Sequence, residues 1–149
     1  MPLTLPLGHD WIARQMPHKG KMCLLDLVTA WDSENIVCSA HSHKDPNNPL
    51  QSHNQLGAAC GIEYAAQAMA LHGALLAPAA SAPRAGYLAR VRNVDARVTR
   101  LDDIEAPLTI TAQRQAADSR IAIYFFSLHA CSKLLLSGSA SVIFDLKTL

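Results

Sequence analysis

Charge is scarce in this chain. Only 17% of its 149 residues are charged, and the formal net charge is +1. A balance this close to neutral lacks the basic excess that draws a protein to nucleic acid, so no such partner is expected. Scarce charge does not mean disorder here, because half of the residues are hydrophobic and can bury a core. The surplus of apolar residues over charge points to surface shared between subunits.

Cysteine is sparse and scattered. Cys23, Cys38, Cys60 and Cys131 include no C-x-x-C pair. That spacing excludes a disulfide frame and fits reduced, packed thiols in a cytoplasmic protein. Met1 to Gly8 has neither the basic start nor the apolar run of a secretory signal. A serine nucleophile elbow, a Walker loop and a dinucleotide fingerprint are all missing, and no internal repeat is visible.

What remains suits one domain, residues 1–149. At this length roughly two-thirds of the unfolded surface can be buried, enough to hold a fold without staples. Gly8 to Met16 suggests a short helix closed by Pro17. Lys21 to Trp31 and Asn35 to His43 predict two strands joined by a turn at residues 32–35. Lys44 to Gln55 is rich in proline and asparagine and predicts a loop. Leu56 to about Leu76 predicts a helix, and its many alanines and glycines would let a sheet close around it at short range. Glu63, Gln67 and His72 interrupt this apolar run, which argues against membrane insertion.

After a connection at residues 78–83 only strand signals follow: Tyr87 to Arg100, Leu108 onward, Arg120 to Ala130 and Leu134 to Phe144. Leu108, Ile110 and Ala112 alternate with Thr109, Thr111 and Gln113, the period of a strand with one buried face. An antiparallel sheet must cover its apolar face, and only one helix is long enough to do so. The expected class is α+β, an antiparallel sheet wrapped around one long central helix.

Glu63 carries the strongest chemical signal. It lies in the first half of the apolar helix, with Gln67 one turn further along the same face. An enclosed carboxylate is costly and has its pKa raised, so a helix that keeps one has a partner or a use for it. His53, in the loop before the helix, and His18, before the first strand, are candidate imidazole partners. The backbone N–H groups of Cys60 and Gly61 could polarise a carbonyl oxygen at the start of the helix. His41 and His43 would share a face if they stood on a strand. A third ligand would have to come from the loop, where His53 lies ten residues on, or from Glu63, and no cysteine is close in sequence, so no metal is expected. Arg84, Arg90, Arg92, Arg97 and Arg100 gather in and beside one predicted strand.

Several motifs resemble a known family. Met16-Pro17-His18-Lys19-Gly20-Lys21-Met22, with Leu24-Leu25-Asp26 after it, resembles the opening of bacterial 3-hydroxyacyl-carrier-protein dehydratases. Gly61-Ile62-Glu63-Tyr64-Ala65-Ala66-Gln67-Ala68 resembles their "VEAMAQ" helix. His43-Lys44-Asp45-Pro46-Asn47-Asn48-Pro49-Leu50 is similar to a stretch in the dehydratase-like proteins of aryl polyene pigment clusters. The resemblance implies the hot-dog fold and dehydration of a 3-hydroxyacyl thioester carried by an acyl carrier protein, without a cofactor.

It also implies Glu63 as one catalytic residue, with His53 or His18 as its partner. Cys60, Gly61 and Gln67 would line the substrate, and Arg90 and Arg92 would dock the acidic carrier. Hot-dog domains pair, so a homodimer or a heterodimer with another hot-dog subunit is expected. The sequence departs from the family at the loop "F-x-G-H-F-P-G", where it has the shorter Gln51-Ser52-His53-Asn54-Gln55, and Gly57 replaces a proline. Two alternatives stand beside this reading: a hot-dog thioesterase in which Glu63 activates water, and a non-catalytic partner subunit that binds an acyl chain or stabilises an active homologue, which the altered loop favours.

Overall fold

The computed structural model describes residues 4–16, 22–77 and 86–144. His18 and the connection at residues 78–83 lie outside them. The elements in chain order are α1 (His9–Gln15), β1 (Leu27–Trp31), β2 (Asn35–Ala40), α2 (Gly61–Leu76), β3 (Gly86–Ala96), β4 (Leu108–Ala117), β5 (Ile121–Ala130) and β6 (Lys133–Phe144). The strands form one sheet in the order β1-β2-β4-β5-β6-β3, with every neighbouring pair antiparallel.

Alternation of side chains makes one face of this sheet the core. Ile36 and Cys38 on β2 stand opposite Ala112 and Ile110 on β4. These in turn face Phe126 and Leu128 on β5, and Phe126 faces Gly138 on β6. All the side chains in these rows are fully buried. The helix α2 lies over β2, β4 and β5 and buries Tyr64, Ala65, Ala68, Met69 and Leu71 against them. At Gly61 an added Cβ would lie only 2.7 Å from Leu136 and 2.9 Å from Leu128. The helix can therefore sit this close only because that position has no side chain. Among the described residues no helix is long and apolar enough to cross a membrane.

Of the boundaries that differ from the sequence expectation, three have a clear hydrogen-bonding cause; the strand expected to reach Arg100 also stops at Ala96. The first strand begins at Leu27 because the Leu24 N–H donates to Gln67 Oε1 (2.9 Å) and the Met22 carbonyl accepts from Gln67 Nε2 (2.6 Å). Those groups serve a helix side chain and not a neighbouring strand. The second strand ends at Ala40, where the His41 N–H turns to the Asp26 carboxylate (2.8 Å) and residues 42–44 curl into a 3-10 turn. The central helix begins at Gly61. Leu56 and Ala58 pair instead with the chain after β3, the Leu101 N–H donating to Leu56 O (2.7 Å) and the Ala58 N–H to Thr99 O (3.0 Å).

The two margins of the sheet are treated differently. Beside β1, Leu7 and Val28 exchange both backbone hydrogen bonds, at 3.0 and 2.9 Å, so the N-terminal segment caps that edge at one residue. Among the described residues β3 pairs only with β6. Its Leu88 and Val94 side chains are 38% and 44% exposed, and bulges interrupt its ladder on both sides of residues 90–92.

Candidate functional site

Glu63 stands in the first turn of α2 and is half-buried. The full enclosure expected from sequence is absent in a single chain, because the strands α2 covers lie on its other side. Four residues on, Gln67 is buried and wholly committed to the backbone of Met22 and Leu24. Its amide thus straps the segment that follows His18 to the face of the helix that also carries Glu63.

His53 sits at the tip of a tight turn closed by Ser52 and Gln55, which exchange backbone hydrogen bonds at 2.9 and 3.0 Å. Its backbone is left-handed (φ 54°) and its side chain is exposed. Among the described residues no hydrogen bond or ion pair joins His53 to Glu63. His18 lies outside those residues.

The Cys60 and Gly61 N–H groups, the expected donors to a carbonyl oxygen, have acceptors within the chain. Cys60 N–H donates to Gly57 O (3.0 Å), and Gly61 N–H donates to Ala58 O within the 3-10 turn that leads into the helix. Both donors are already spent, and the open space of Gly61 is filled by leucines. The Cys60 thiol is held above its ordinary pKa by burial, and burial pushes Cys38 up to about 12. Neither is a thiolate nucleophile near neutral pH.

The two remaining sequence candidates part company. His41 is exposed and its Nδ1 meets the Asp26 carboxylate. His43 is fully buried, its Nε2–H shared between the carbonyls of Ile104 (3.0 Å) and Ala106 (3.1 Å). Carbonyls only accept, so the proton is on Nε2, and burial keeps this imidazole below its ordinary pKa. The 3-10 turn that ends β2 is what separates the pair.

Around the start of α2 the structure builds a polar knot that sequence reading had passed over. Ser42 Oγ donates to Leu24 O (2.7 Å). Having given its one proton away, it accepts from the Tyr64 hydroxyl at 2.8 Å. Tyr64 OH in turn accepts from Asn48 Nδ2 (3.1 Å), whose second proton goes to Ser42 O (2.9 Å). Tyr64 is fully buried, and burial raises its pKa. The knot fixes the loop of residues 42–50 against the residue next to Glu63. The signal was in the motifs, since Asn48 and Tyr64 both belong to the stretches that resemble the dehydratase family.

Beside the knot opens a cleft of ≈ 680 Å³, floored by Cys23 and Leu24 and walled by His9, Asp26, His41 and Asn48. None of Glu63, Gln67, Cys60, Gly61 or His53 lines it. Arg90 and Arg92 are exposed on β3 and have no ion pair among the described residues. Arg97 is bound to Asp95 (2.9 Å) and Arg100 to Asp102, so among the described arginines of the cluster Arg90 and Arg92 are the two without an ion pair; Arg84 lies outside the described residues.

A family model described as ApeP-like, ApeP dehydratase, matches residues 11–147. Among solved structures, the dehydratase heterocomplex ApeI:P from Xenorhabdus doucetiae has a chain that matches with a TM-score of 0.78 at 22% identity, covering 98% of this chain and 95% of that one. A thioesterase from Haemophilus influenzae matches with a TM-score of 0.66 at 11% identity, over 93% of this chain and 91% of that one. A mutant thioesterase from Pseudomonas aeruginosa matches with a TM-score of 0.62 at 12% identity, over 93% and 96%. No curated protein matches. The fold is the hot-dog arrangement; at these identities the solved structures speak to the fold alone.

Proposed function

This chain belongs to the ApeP-like dehydratase family, and on that premise we propose that it removes water from a 3-hydroxyacyl thioester borne by an acyl carrier protein. The observation that carries this reading is Glu63: a carboxylate on the central helix, half-buried, with no bonding partner among the described residues. It is the one carboxylate of that helix, and no bond within the described chain holds it away from a bound substrate.

Dehydration requires two proton transfers. The proton on C2 leaves to a base, the electron pair forms the C2–C3 double bond, and the C3 hydroxyl takes a proton and departs as water. The thioester acidifies C2, so no cofactor is needed. Glu63 is one half of the acid–base pair and an imidazole is the other. His18 is tethered to Met22, which Gln67 holds one turn from Glu63, and four residues of chain reach at most about 14 Å. His53 is the alternative, and its exposed turn suits action across a subunit boundary. A second hot-dog subunit, alike or homologous, docks on the uncovered β3 edge and supplies the enclosure that Glu63 lacks in one chain. Arg90 and Arg92 offer the carrier a basic surface.

The test is turnover of a carrier-bound 3-hydroxyacyl thioester by Glu63→Gln, His18→Ala and His53→Ala, each assayed alone and with a homologous subunit. Loss of one member of the pair should lower kcat/KM by roughly 10²–10⁴-fold. The melting temperature of Glu63→Gln should stay at the wild-type value, since that side chain bonds to nothing among the described residues. An unchanged rate in Glu63→Gln would remove the enzyme reading. Release of free thiol without an enoyl product would make the chain a thioesterase. Activity only in the mixture, insensitive to Glu63→Gln, would make it a non-catalytic partner.

A further inference from the structure

The uncovered margin of the sheet carries its charge in one place. Val91 on β3 faces Ala140, which points into the core, whereas Arg90 and Arg92 face Ser141 and Ser139 on the outward side. Residues 90–92 form the regular stretch between the two bulges, the second of which contains Asn93 in a left-handed conformation (φ 55°). A second strand adding to this edge pairs most readily there.

Consider a second copy of the chain in that role, related by a two-fold axis. An axis at Val91 sets each Arg90 opposite the other copy's Arg92. An axis at Arg90 or at Arg92 sets that arginine opposite itself. Directly opposed residues on one face stand about 5 Å apart, and like charges there oppose pairing. Asp95, the acidic residue of this strand, is already bonded to Arg97 at 2.9 Å, so it is not free to compensate.

We propose that β3 is a charge-selective subunit edge, at which Arg90 and Arg92 disfavour self-pairing and select a like-folded subunit with carboxylates at the facing positions. The proposal rests on the reading of β3 as the subunit edge, and it deepens that reading by stating the partner's chemistry. Repulsion against one partner combined with attraction to another is how related interfaces discriminate. Carrier docking is a different claim on the same guanidiniums, and association measured without carrier isolates partner choice from it.

The experiment is sedimentation velocity on four samples: wild type, Arg90→Ser/Arg92→Ser, Arg90→Glu/Arg92→Glu, and an equimolar mixture of wild type with the glutamate variant. Thermal melts confirm that each variant is folded. The neutral variant should self-associate roughly tenfold more tightly than wild type at low salt. The mixture should form a one-to-one dimer tighter than either component alone. Both differences should shrink at about 0.5 M salt, where exposed charges are screened. Equal self-association of wild type and the serine variant would overturn charge selection while leaving the β3 edge intact. Failure of every sample to associate would overturn the edge reading, and the proposal with it.

Discussion

Replacing Gly61 with alanine tests how closely the helix rides on the sheet. The new methyl would lie 2.7 Å from Leu136 Cδ2 and 2.9 Å from Leu128 Cδ2. Both leucines are fully buried, so their tips can give way only by repacking against other core side chains. Overpacking of this kind costs about 1–3 kcal/mol, offset by up to about 1 kcal/mol from alanine's better helix propensity. The net expectation is a loss of about 1 kcal/mol, which lowers the melting temperature by roughly 2–4 °C for a chain of this size. Gly73, three turns along the same helix, is the internal control. An alanine there meets Phe144 at 3.4 Å, close to ordinary contact, so the propensity gain should survive and stabilise by roughly 0.5–1 kcal/mol. The two substitutions are chemically identical and should differ in sign. Urea unfolding followed by circular dichroism measures both. A Gly61→Ala chain as stable as Gly73→Ala would mean that the helix stands off the sheet and that this packing account is mistaken. Loss of turnover from a fully folded Gly61→Ala chain would instead return the residue to the substrate.

Gln67→Leu should destabilise by about 2 kcal/mol, because it strands the Leu24 N–H and the Met22 carbonyl; a shifted urea midpoint with an unchanged slope is the readout. Tyr64→Phe removes the hydroxyl that joins Ser42 and Asn48, at a cost of about 1–2 kcal/mol, and should speed amide exchange across residues 42–50. Acid should weaken the fold through His43 and His72, both held below the ordinary value of 6.5 by burial. The unfolded chain then binds protons more readily than the folded one. Stability is full above about pH 6.5 and declines as pH falls through the folded values, by at most about 1.4 kcal/mol per pH unit for each histidine. Unfolding free energies measured at successive pH values check this, and a flat profile down to pH 5 or so would contradict it.

The sheet and its helix were legible because their signals are local. Leu108, Ile110 and Ala112 announce a buried face by alternation, and the small residues of α2 announce close packing. What sequence misjudged depends on side chains that reach across the fold. His41 and His43 alternate as a strand would, yet Asp26 draws the backbone of His41 out of the ladder, and nothing between residues 35 and 43 encodes that. His72 carried no signal of its own. It lies buried between the Tyr124 hydroxyl (2.7 Å) and the Asp32 carbonyl (2.8 Å), which join the far end of the helix to the sheet and to the β1–β2 turn. Gly61 was legible as a small residue but not as one whose space belongs to Leu136. Glu63 stood out in the sequence by its chemistry, whereas its half-buried setting depends on how the helix lies on the sheet.

The bonding of Leu7 to Val28 has a consequence for the exposed backbone of the sheet. At Val28 both main-chain groups are occupied by the chain's own N-terminal segment, so a foreign strand can form ladder bonds there only by first displacing Leu7.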